Sequence, residues 1–243
     1  MFKIIKNSFK TTNESIILAT PLIVFLSILS WYGNYAADVA NTIFKQIFAG
    51  VTIFIMACGF LSAWLYMAKK TIALSKKVFV FDKDRANALI DLLTTLPKGI
   101  GRLFLPIIGV LSIYIFVYLG LSSVITFIAD KYELTFVQWR NLFIPGAIFI
   151  SFITLLWLPE IVYGDKNAFI ALFKSIKKVF INFKNSIILY SYILFLVVGI
   201  SFINSMLLFH PIIAFFVLII FYYILVYIIV LLFSYYEQNF IEE

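Results

Sequence analysis

Residues that carry chemistry are scarce in this chain of 243 residues. It has one cysteine, Cys58, and one histidine, His210. A lone cysteine cannot close an intramolecular disulfide, and without a Cys/His cluster there is no zinc-site signature. Nucleophilic triads that need either residue are equally poorly supplied. No Walker A, GxGxxG or HExxH pattern occurs. Charge is thin as well: 13% of residues are charged, about half the share of soluble domains. The expectation is a non-enzyme, with no catalytic, cofactor or metal residues.

What the chain has instead is apolar surface. Hydrophobic residues make up 63% of it, more than a soluble fold of this size can hide from water. Six runs are long and apolar enough to span a bilayer as helices: Ser15–Tyr32, Ile47–Met67, Leu103–Ala129, Leu142–Tyr163, Ser186–Phe209 and Pro211–Tyr236. None shows the alternation of a barrel strand. Ser15–Tyr32 follows a lysine-rich start, but it exceeds the usual apolar length of a signal peptide, so it reads as a retained helix. The fold class expected is an all-α integral membrane protein and a single membrane domain.

The basic residues set an orientation. Of the 19 Lys and Arg, all but Lys45, Lys131 and Arg140 fall before the first span or in the second-to-third and fourth-to-fifth connections. The positive-inside rule then places both termini in the cytoplasm. Trp31 and Tyr32 are expected to mark an outer boundary; Trp64, Tyr66, Trp157, Tyr163, Tyr235 and Tyr236 are expected to mark inner ones. The net charge of +7 thus belongs to a membrane face and suits anionic lipid headgroups better than nucleic acid. Short outer connections suit a bacterial inner membrane.

A repeat is visible. Phe2, Lys3, Ile5, Lys6 and Phe9 recur as Phe173, Lys174, Ile176, Lys177 and Phe180. Leu18, Pro21, Leu26, Ser27 and Ile28 recur as Leu103, Pro106, Leu111, Ser112 and Ile113. The implied period is about 85 residues, with units at 1–85, 86–171 and 172–243, each a basic amphipathic surface helix followed by a hairpin. In the first surface helix the apolar stripe reads Phe2, Ile5 and Phe9. In the second it reads Leu89, Leu92, Leu93, Leu96, Ile100 and Leu103, with a break expected at Pro97, Gly99 and Gly101. In the third it reads Phe169, Leu172, Phe173, Ile176, Val179, Phe180 and Phe183.

Candidate lipid-headgroup contacts follow from this plan: Lys3, Lys6, Lys10, Lys98, Arg102, Lys174, Lys177 and Lys178. Two residues are candidates for a polar cavity, Glu160 and Asn204. An ionisable residue within a span is a functional candidate, although in such a place Glu160 more often snorkels to the interface or pairs with a nearby lysine. Asn204 equally suits a hydrogen bond between helices. Cys58 reads as a small packing residue, and His210 as a turn residue.

The segment Pro159-Glu160-Ile161-Val162-Tyr163-Gly164-Asp165, with Ala168, Ala171-Leu172-Phe173 and Ser175, resembles part of certain six-helix bacterial membrane proteins. Those proteins are similar to the membrane domain attached to some glycerophosphodiester phosphodiesterases. The resemblance covers mainly the last third of the chain. It implies a membrane-embedded accessory or scaffold role, and transfers no catalytic residue. The leading expectation is a non-catalytic module that interacts with lipid or supports a membrane protein partner. The alternative is a transporter or channel for a small or lipidic substrate.

Overall fold

In a bilayer each backbone N–H and C=O must find its partner within the protein, and a helix satisfies nearly all of its own. The computed structural model is accordingly helical, with no strand among the described residues, which are 1–14, 19–39, 42–75, 87, 90–207 and 211–241. In chain order the helices are α1 (Phe2–Glu14), α2 (Ala19–Val39), α3 (Ile43–Ser75), α4 (Leu96–Lys131) and α5 (Phe136–Ile153). There follow α6 (Trp157–Tyr163), α7 (Ala168–Ile181), α8 (Phe183–Leu207) and α9 (Pro211–Phe240).

Among the described residues five stretches are long and apolar enough to cross a membrane: Ile43–Leu74, Leu96–Lys131, Phe136–Tyr163, Phe183–Phe202 and Phe216–Phe240. The protein is therefore a multi-pass membrane protein. Of the first expected span, Ser15–Leu18 lie outside the described residues, and the remainder is helical within α2. His210 and the side chain of Asn204 also lie outside them, as does Leu89.

The chain forms two compact units. The first comprises Met1–Phe104 and Ser191–Glu243; the second comprises Leu105–Tyr190. In the first unit, α3 packs on α2 and α9, and α1 lies against α9 and α3. Its core gathers Cys58, Leu65 and Met67 of α3 with Val226, Val230, Leu231, Phe233, Tyr235 and Tyr236 of α9. Phe25 stacks on Phe60 with centroids 3.9 Å apart, tying α2 to α3. In the second unit, Ile107 and Val110 of α4, Leu156, Trp157 and Ile161 around α6, and Ala171 and Val179 of α7 are fully or almost fully buried.

Four sequence expectations change. The break before α4 falls at Thr95, ahead of Pro97, Gly99 and Gly101, which lie inside the helix. Pro97 occupies the first turn, where its missing N–H costs nothing and its fixed φ suits a helix. The fourth span is interrupted at 154–156. There Leu155 N–H turns back to Phe152 O (3.2 Å) and Trp157 N–H to Thr154 O (3.0 Å). Pro159 explains the interruption: in a continuous helix its ring would collide with the carbonyl of Leu155.

Several boundary aromatics are core residues. Trp64, Trp157, Tyr235 and Tyr236 are all buried, whereas Trp31 is exposed as a belt residue would be. Trp157 is held by a 2.9 Å hydrogen bond from Nε1 to Ala168 O and by Tyr114, 5.0 Å away between centroids.

The surface-helix stripes are also reassigned. α1 buries Ile4, Ser8 and Thr12 and exposes Phe2 and Phe9. α7 buries Ala168, Ala171, Ser175 and Val179 and exposes Phe169, Phe173 and Phe180. Ahead of α4 and within it, Leu92, Thr95, Gly99 and Leu103 are buried while Leu93 and Ile100 are exposed. Each segment seats itself by a small residue followed by another four positions later: Ser8 and Thr12, Thr95 and Gly99, Ala171 and Ser175. The reason is that lipid receives a phenylalanine as well as a protein core does, so helix contacts in membranes select for close approach.

Candidate functional site

The sequence-predicted residues fall into three local settings. The first is the corner between α6 and α7 in the second unit. α6 ends at Gly164, whose N–H donates to Glu160 O at 2.8 Å. A Cβ on Gly164 would overlap Glu160 Oε1 and lie 3.1 Å from Glu160 O, so only glycine leaves room for the carboxylate. Glu160 is 2% exposed, and Lys178 Nζ donates to its Oε2 at 2.8 Å. Glu160 is thus engaged by Lys178, one of the two alternatives, snorkelling or lysine pairing, that the sequence leaves open for that position.

The corner continues through Asp165 and Asn167. Asp165 Oδ1 accepts from Asn167 N–H at 2.9 Å, and Oδ2 accepts from Lys174 Nζ at 3.1 Å. The Asn167 amide, and after it Lys174, hold the Asp165 carboxyl below the ordinary carboxylate range. Asn167 caps α7, its Oδ1 accepting from Phe169 N–H (3.0 Å) and Ile170 N–H (3.3 Å). The polar run Asp165–Asn167 before an apolar helix was a readable cap signal. Two of the three α7 lysines named as headgroup contacts therefore already face carboxylates. Lys177 is exposed and, among the described residues, has no ion-pair partner.

The second setting is the crossing of α3 and α4 in the first unit. A Cβ on Gly99 would lie 2.8 Å from Tyr66 Cβ, 2.9 Å from Ala63 Cα and 3.1 Å from Ser62 O. The two backbones approach as closely as a glycine allows. Three residues on, Arg102 lies with its guanidinium carbon 5.8 Å from the Tyr66 ring centroid, and its Nη1 donates to Tyr66 Oη at 3.4 Å. Lys98 is exposed one turn earlier. Sequence reading took Tyr66 for a boundary marker; its role as a platform for Arg102 has no signal in the sequence.

The third setting is α1. Lys3, Lys6 and Lys10 are exposed, and Lys10 makes a loose 3.8 Å contact with Glu14. Tyr227 Oη donates to Ile5 O at 3.4 Å, and Tyr223 Oη donates to Asn13 Oδ1 at 2.5 Å. α1 is thus fixed against the middle of α9, with Phe9 edge-on to both tyrosines.

Elsewhere in the first unit, a largely apolar cavity of about 230 Å³ opens between α2 and α3, lined by Tyr32, Tyr35, Ala36, Phe44, Lys45, Phe48 and Ala49. Among the described residues no group of three or more His, Cys, Asp or Glu is placed to hold a metal ion. No protein-family model, curated protein or solved structure matches the chain.

Proposed function

We propose that this protein is a non-catalytic, lipid-interacting module of a bacterial inner membrane, serving an accessory or scaffold role beside membrane protein partners. In this reading both termini are cytoplasmic, six helices cross as three repeated hairpins, and the basic helices lie at the inner leaflet. The resemblance of Pro159–Ser175 to phosphodiesterase-linked membrane domains belongs to the same proposal and supports the accessory role.

The observation that carries the reading is the outward face of α7. Phe169, Phe173, Phe180 and Ile181 are each more than half exposed, while Ala171 and Ser175 on the opposite face are fully buried. Water would leave that face uncovered; acyl chains cover it at no cost. Lys177 on the same helix then lies within reach of headgroups, where a cation contributes about 1 kcal/mol beside an anionic surface.

Native mass spectrometry of the intact protein, released from membranes of known lipid composition, tests the reading. The expected result is retained lipid enriched in anionic species over the bulk composition. Bare protein, or retained lipid matching the bulk, would overturn it. Saturable solute uptake by reconstituted vesicles, with no lipid enrichment, would favour the transport alternative.

A further inference from the structure

We propose that the α3–α4 crossing is a binding site for the phosphate of an anionic phospholipid headgroup, with Arg102 and Lys98 as its cations and Tyr66 as its platform. The proposal rests on the lipid-interacting reading above and assigns it a place.

Register is the first support. Gly99 meets Ser62, Ala63 and Tyr66, whereas Phe104 approaches Gly59 at 3.9 Å. Rising numbers on α4 meet falling numbers on α3, so the helices run antiparallel. Lys98 and Arg102 are four apart on α4, and Tyr66 and Lys70 are four apart on α3, so each pair shares a helix face. Lys98, Arg102 and Lys70 are exposed. Arg102 therefore rests over a phenol, with Lys98 exposed on the same helix face, at a crossing that Gly99 keeps tight.

The chemistry of Arg102 is the second support. A guanidinium resting over a ring keeps its edge N–H groups free, and that edge is the fork that matches phosphate oxygens. Its one side-chain hydrogen bond among the described residues, to Tyr66 Oη, is long at 3.4 Å. Among the described residues no carboxylate pairs with Lys98 or Arg102, in contrast to Lys174 and Lys178, whose positions Asp165 and Glu160 already neutralise. In this proposal the anion that completes the crossing is a lipid phosphate.

The surrounding surface selects a lipid over a soluble anion. The α4 face that carries Lys98 and Arg102 continues to Leu105, which is 76% exposed. Cations followed by uncovered apolar surface along one helix face repeat the order of a phospholipid, phosphate and then acyl chain.

The test uses the full chain in detergent micelles, with phosphatidylglycerol and phosphatidylcholine titrated in and bound lipid counted by native mass spectrometry. Wild type is expected to prefer phosphatidylglycerol. Lys98→Gln/Arg102→Gln is expected to weaken that binding about 30-fold, each cation near an anionic surface contributing about fivefold. Arg102→Lys, which keeps the charge and loses the planar fork, is expected to fall between. Both substitutions alter exposed side chains, and an unchanged helical spectrum confirms folding. Lys177→Gln serves as the comparison on α7 and is expected to lose about fivefold at most. A wild type with no preference for phosphatidylglycerol would sink the lipid-interacting reading and this site with it. A wild type that prefers it, with a double variant that binds equally well, would overturn this site alone. Displacement of the lipid by millimolar inorganic phosphate would assign the crossing to a soluble phosphate and overturn the lipid assignment.

Discussion

Two regions of the molecule are built from the same materials, a glycine at a close approach and a pair of cations four residues apart, and they end differently. At the α6–α7 corner, Gly164 makes room for Glu160, and Lys174 and Lys178 are paired with Asp165 and Glu160. At the α3–α4 crossing, Gly99 makes room for a neighbouring backbone, Arg102 rests over a phenol, and neither Arg102 nor the exposed Lys98 has a carboxylate partner among the described residues. The corner is electrostatically closed by its own chain, while the crossing is left open. Counting lysines on the inner face therefore overstates the charge available to lipid, and the side-chain partners decide which lysines remain available.

If the corner is closed by Glu160, removing that group should have the largest effect. Glu160→Ala takes the carboxylate away from the partly buried Lys178 ammonium. The expected loss is about 3 kcal/mol, at the lower end for broken buried pairs because Lys178 reaches solvent, and it is read as a drop in the thermal midpoint in detergent. Lys178→Met should recover part of that loss when combined with Glu160→Ala, because the partly buried charge that faced Glu160 is gone.

Gly164→Ala is next. Its Cβ displaces the Glu160 carboxylate and meets a backbone oxygen that cannot yield, which should cost about 2 kcal/mol in the same measurement. The matching change at the crossing, Gly99→Ala, sets a methyl against Tyr66 Cβ and Ala63 Cα. It should destabilise by about 1–2 kcal/mol through overpacking and lower phosphatidylglycerol binding as well. Gly164→Ala should leave that binding unchanged, and a reversed pattern would erase the contrast between the two regions.

The smallest effect concerns Asp165. Its carboxyl titrates below the ordinary value in the folded chain, so the folded state binds its proton less readily than the unfolded state does. The contribution is complete above the unfolded value, near about pH 4, and is lost as pH falls through the depressed folded value. Protection of the Phe169 and Ile170 amides, measured as hydrogen exchange relative to the intrinsic rate at each pH, should fall on acidification in wild type. In Asp165→Asn it should stay flat over the same range.

Much of the fold was legible because bilayer helices announce themselves by length and composition. Ile47–Met67, Leu103–Ala129, Leu142–Tyr163, Ser186–Phe209 and Pro211–Tyr236 each overlap one of the five helices long enough to cross. The inner faces of α1 and α7 were misread for one reason. Hydrophobic periodicity marks the side turned from water, and here the side turned from water includes the lipid face, so Phe173 points outward and Ser175 inward. The interruption at 154–156 was encoded by Pro159 four residues after Leu155. The cap at Asn167 was likewise present in the sequence. The Glu160–Lys178 pair was half legible: a nearby lysine was one of two alternatives beside snorkelling, and which lysine depended on α7 folding back after Gly164. The Tyr66–Arg102 contact spans two helices and depends on the depth at which Gly99 lets them cross.

Sidedness is the claim that every reading of the basic residues requires, and thiol labelling tests it most directly. Cys58 is fully buried, so single cysteines can be introduced over a silent background. In intact cells a membrane-impermeant maleimide should modify Tyr132→Cys at the α4–α5 turn and spare Lys177→Cys on α7, which should react only after the membrane is opened. Labelling of Lys177→Cys from outside intact cells would contradict the account.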